Sequence, residues 1–182
     1  MAQPRIIILG CGNPSRGDDA HGPLLVECVN YWIRLHPDRP VAAVEDFQFQ
    51  VEHSLDLEDR DLAIFVDAAA SGPEPYALTR IHPQEDSTFT THAISPQAVL
   101  HAFRALGQGE PPPSFLLAVR GHSFELGEDL SPAGWNNLES AWILLEQLLK
   151  RPTLEGWERR CGASGQGFLH RLDQRVQGLQ EF

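Results

Sequence analysis

The chain has 182 residues, enough for one domain around one sizeable core. Its 42% hydrophobic and 21% charged content is that of a folded globular protein, and a formal charge of −11 argues against nucleic acid or an anionic membrane as partner. The charge is uneven: from residue 150 on, six basic residues face four acids, a net of +2, so residues 1–149 carry −13.

The first element is "RIIILG", a short β-branched run without alternation, which predicts a strand buried on both faces. A glycine-rich turn, "GCGNPSRGDD", follows. Then Leu24, Leu25, Cys28, Val29 and Trp32 recur at helical spacing, with Asp18 or Asp19 as the expected cap and Pro37 beyond the end. "VAAVEDF" predicts a second strand, "VEHSLDLEDR" a short helix, and "LAIFVDAA" a third, buried strand. "YALTRIHP" alternates, as a strand near a sheet edge does. "SPQAVLHAFRALG" predicts a helix capped by Ser95, with Pro96 just inside and Gly107 past its end. "SFLLAVRG" is a further buried strand, and "SPAGWNNLESAWILLEQLLK" the last strong helix. Strands alternating with helices imply an α/β three-layer sandwich, with a mostly parallel, mixed sheet of about five strands and helices on both faces. Residues 1–150 are expected to form this domain. Beyond Pro152 the periodicity fades, so 151–182 is expected to be an appendage, poorly ordered.

Cys11, Cys28 and Cys161 are few, odd in number and widely spaced, which is neither a disulfide framework nor a zinc ribbon. Reduced thiols in a cytoplasmic protein are the expectation. The apolar run behind Arg5 is short for a secretory leader, and no stretch approaches the ~20 apolar residues of a membrane helix.

In open parallel sheets, ligands bind at the carboxyl ends of the strands. The glycine-rich turn leaves the first strand there, and Asp67 closes the third. If those strands are neighbours, Asp67 meets the Asp18–Asp19 pair on one rim. Clustered carboxylates repel unless a cation sits between them or one stays protonated. His92, in "FTTHAIS", is the next candidate for that rim, and two carboxylates with one imidazole suit a first-row divalent ion. The turn does not fit a dinucleotide fingerprint. Its third glycine comes too late, and Asp-Asp would repel a pyrophosphate. Simpler roles remain open: a helix cap for either aspartate, loop-amide bonding for Asp67, plain packing for Cys11. His53 and His122 are comparable to His92 as lone histidines. On residues alone, the chain reads as a metal-binding or acid-catalysing α/β protein.

The combination carries further. "GCGNPSRGDDAHG" after an N-terminal strand resembles the signature of the hydrogenase maturation endopeptidases, G-x-G-N-P-x-x-x-D-[DE]-x-x-G. "FVDAAASG", the isolated "THAIS" histidine and "FELGEDLSP" before a final helix fit the same family, over roughly residues 5–149. The resemblance implies a protease that removes a C-terminal extension from the precursor of a nickel-iron hydrogenase large subunit. It acts after nickel insertion, with the precursor's nickel as recognition element. It also implies that Asp19, Asp67 and His92 contact that metal and form the catalytic site. Three protein ligands with weak preorganisation bind a metal modestly, so no tightly bound cofactor is expected in the isolated protein, and a cytoplasmic monomer is the expectation. Whether a carboxylate or the metal activates the water stays open at this stage, as does a non-catalytic assembly factor for the same precursor. The chain departs from the family where many members carry a Gly-Gly-Thr segment: here "EDFQFQVEHSLDL" places Phe47, Gln48, Phe49, Gln50 and His53.

Overall fold

The computed structural model describes residues 4–86 and 94–162. Strand β1 (Ile6–Cys11) leads through a short 3₁₀ segment, Gly17–Ala20, into helix α1 (His21–Leu35). Then come β2 (Val41–Asp46), a second 3₁₀ segment at Val51–Leu57, β3 (Leu62–Ala69), β4 (Tyr76–Ile81), α2 (Pro96–Ala105), β5 (Ser114–Arg120), α3 (Pro132–Lys150) and α4 (Leu154–Glu158). The strands form one sheet in the order β2-β1-β3-β5-β4. All neighbours are parallel except β4, which runs antiparallel to β5 at the edge. The alternation of "YALTRI" thus marks the expected edge strand, while every residue of β1 is buried.

Side-chain alternation divides the core in two. On one face Ile6, Ile8, Ile64, Val66, Phe115 and Leu117 pack with α1 and α3. On the other Ile7, Leu9, Cys11, Ala63 and Phe65 pack with α2, Phe49 and Leu57. This is the three-layer sandwich expected from the sequence.

The boundary expected at residue 150 falls inside folded structure. Trp157 of α4 is fully buried, stacks edge-on against Phe115 at 5.4 Å, and donates its indole N–H to the Leu148 carbonyl. Thr153 caps α4 by accepting from the Gly156 amide. The faded periodicity has a simple cause, since a single large residue anchors a helix of five residues and leaves no repeat to detect. Residues 163–182 lie outside the described residues.

Candidate active site

From β1 the chain crosses to β2 on one side, whereas from β3 it passes toward β5 and β4 on the other. The carboxyl ends of β1 and β3 are therefore the point where the sheet's connections diverge, the usual ligand crevice of an open α/β sheet. The glycines build this corner by close packing. A Cβ at Gly12, whose φ is +148°, would lie 1.9 Å from the Asp19 carbonyl oxygen. One at Gly22 would lie 2.1 Å from the Cys11 carbonyl oxygen. Both glycines are needed so that the chain can fold back on the end of β1. Asn13 ties the turn down: its side-chain oxygen accepts from the Ser15 amide at 2.9 Å.

Asp19 faces this corner and accepts from the Asn13 amide at 2.9 Å. Asp67, one residue beyond the last β1–β3 pair, accepts among the described residues only from its own neighbour, the Ala68 amide, at 2.9 Å. Burial raises the Asp67 carboxyl to about 6; the Ala68 amide opposes the rise and the charge of Asp19 adds to it. Asp19 and Asp67 are thus within electrostatic reach of each other, whereas Asp18, expected on the same rim, is not there. Cys11 sits beside them, and burial, with Asp67 and Asp46 nearby, pushes its thiol up and keeps it unreactive. His92 lies outside the described residues. Among the described residues no group of three or more His, Cys, Asp and Glu is placed to hold a metal ion.

Asp18 has a different role from its neighbour. Neither aspartate is the N-cap of the segment it precedes: the N-cap positions of the first 3₁₀ segment and of α1 are Arg16 and Ala20, and neither has a side-chain cap hydrogen bond. Asp18 is instead wholly buried and reaches across to the start of α3. Its Oδ2 accepts from the His122 amide at 2.6 Å, the Ser123 amide at 3.2 Å and the Ser131 hydroxyl at 2.7 Å. Its Oδ1 accepts from the Ser131 amide at 2.7 Å. Burial opposes its charge, but these hydrogen bonds outweigh that and hold the carboxyl below its ordinary range. Ser131 in turn caps α3 through the Gly134 amide, and His21 reaches the Gly134 carbonyl at 3.0 Å. Burial lowers the His21 pKa against its neighbouring carboxylates. Sequence spacing carries no sign of this clamp, because its partners lie more than a hundred residues away.

The turn after β2 is also clamped. His53 accepts the Gln50 amide on Nδ1 and sets Nε2 3.5 Å from Asp46 Oδ2. Asp46 further accepts from the Phe47 amide and the Gln50 side chain. The Phe49 carbonyl accepts from the Ile94 amide, which draws the start of the α2 segment to this turn. His122 pairs with Glu74 at 2.6 Å beyond the end of β5. Both histidines thus have local structural partners.

No family model and no curated protein matches the chain. Solved structures do. A [NiFe] hydrogenase maturation protease, HycI from Thermococcus kodakarensis KOD1, superposes with a TM-score of 0.63 at 23% identity, covering 82% of this chain and 95% of its own. The hydrogenase maturating endopeptidase HybD from E. coli gives 0.60 at 26% identity, covering 81% and 93%. A hydrogenase 2 maturation peptidase from Thaumarchaeota archaeon SCGC_AB-539-E09 gives 0.52 at 20%, covering 80% and 97%.

Proposed function

We propose that the chain is an endopeptidase that trims the C-terminal extension from a nickel-iron hydrogenase large-subunit precursor once nickel is in place, a reading supported by its likeness to solved hydrogenase maturation proteases. The observation that carries this reading is the Asp19–Asp67 pair at the divergence of β1 and β3, two carboxylates whose mutual repulsion a cation would relieve. In this reading the nickel arrives with the precursor, as part of the substrate. Asp19, Asp67 and His92 complete its coordination and so fix the scissile bond at the rim. A precursor without metal brings no positive charge to offset the paired acids, and it docks poorly. Metal occupancy is thereby checked before the bond is cut. The work is done in the cytoplasm by a single copy of the chain.

The test is cleavage of nickel-loaded and nickel-free precursor by the purified protein, followed by the size of the product. Trimming confined to the loaded form is expected, and equal trimming of both removes the nickel check. Asp19→Asn, Asp67→Asn and His92→Gln should each lower the rate by at least about a hundredfold while the fold persists. Binding of precursor without any trimming would assign the protein to assembly rather than proteolysis.

A further inference from the structure

We propose that the turn after β2 is the docking surface for the precursor: it receives a segment that carries apolar side chains together with lysine or arginine. This inference rests on the proposed function and names where the client is gripped. Three large apolar side chains point outward from a stretch of nine residues: Phe47 at 64% exposure, Val51 at 48% and Leu55 at 56%. Their neighbours Phe49, His53, Ser54 and Leu57 are buried. The outward side chains are therefore held out by a folded support. Asp46, Gln50 and His53 close the turn by hydrogen bonds, and the second 3₁₀ segment packs on α2. Exposed apolar groups on a rigid support mark an interaction surface.

Position and charge identify the occupant. The turn leaves the carboxyl end of β2, next to the β1 end where Asp19 follows, so it borders the proposed cleavage site. Residues 45–59 contain six acids (Glu45, Asp46, Glu52, Asp56, Glu58 and Asp59) and no lysine or arginine. Exposed apolar side chains set among acids complement an apolar segment with basic residues. Two copies of this surface would set acid against acid, which disfavours self-association through it.

Two variants test the surface. One combines Phe47→Ser, Val51→Ser and Leu55→Ser; the other combines Glu52→Gln and Asp56→Asn. Initial rates are measured against the concentration of nickel-loaded large-subunit precursor from the same organism. Equilibrium binding of that precursor and the sedimentation of each variant are measured alongside. Leu35→Ser, an exposed position at the far end of α1, is the control. The triple variant should raise KM roughly tenfold or more and leave kcat within about twofold. The charge variant should raise KM and flatten its dependence on salt. Phe47→Ser alone should move KM in the same direction, which covers a triple variant that folds poorly. An unchanged KM, a loss confined to kcat, or a wild-type dimer that the triple variant dissociates overturns the proposal. If the wild type binds precursor without cutting it and the triple variant loses that binding, the docking surface stands while the protease reading falls. If the wild type does not bind precursor at all, both fall.

Discussion

A carboxyl group buried beside a second carboxylate resists ionisation, and Asp67 is in that position. In the unfolded chain it loses its proton near 3.8; in the folded chain it keeps it to about 6. Between these values the folded state holds the extra proton. Raising the pH through that window therefore destabilises the fold, by roughly 3 kcal/mol in full above pH 6. Asp67→Asn removes this cost and keeps the oxygen that accepts from Ala68. The variant should unfold at higher denaturant concentration than the wild type at pH 7, and at a similar concentration near pH 4, while losing cleavage. Equal stability of the two at pH 7 would show that the group is not strained. Asp18 has the opposite sign. Its lowered pKa contributes stability above the ordinary carboxyl value, and that stability is lost as acid titrates the folded group. Asp18→Ala strands the three backbone amides of His122, Ser123 and Ser131 and frees the α3 cap, and should cost about 3–5 kcal/mol in denaturant melts at pH 7. The two aspartates are adjacent and of one residue type. The chain itself supplies no local cue that one points to the rim and the other into the protein. Only the resemblance separated them, by assigning the metal to the second acid of the pair.

Elements were more legible than residues because periodicity is a local property. The five strands and the three long helices follow from runs such as "IIILG" and caps such as Ser95 and Ser131, whose hydroxyls accept from the Ala98 and Gly134 amides. Helix α4 escaped because a single buried residue, Trp157, anchors it. Trp157 fills the space between Phe115 and the end of α3, and its burial ties residues 151–162 to the core. Trp157→Ala should destabilise the protein by about 3–5 kcal/mol, measured by thermal or denaturant unfolding. A cost below about 1 kcal/mol would restore the view of this stretch as an appendage. The β2–β3 connection was legible as a short helix. That its outward side chains include Phe47, Val51 and Leu55 while a histidine turns inward follows only from the clamp by Asp46 and Gln50.

At the scale of the whole molecule, the sheet order sets the electrostatics of the site. Placing β1 beside β3 puts Asp19 and Asp67 on one corner of a body whose first 149 residues carry −13. Such a corner favours any arriving cation, whether a metal or a proton, and the two compete for Asp67. A nickel-loaded precursor that uses the Asp67 carboxylate must displace the proton held there up to about pH 6. Its affinity should therefore rise with pH below 6, by about tenfold per unit for the one proton on Asp67, and this contribution should level off near neutrality. The direct measurement is calorimetry in two buffers of different ionisation enthalpy. Near pH 5 the wild type should release about one proton more than Asp67→Asn does, and near pH 7.5 the two should agree. Nickel-free precursor, which offers no charge to exchange for the proton, should show no such difference. Equal proton release by wild type and Asp67→Asn at the lower pH would mean that the client's metal never reaches this carboxylate. The corner would then be an acidic feature of the fold rather than the place where nickel is read.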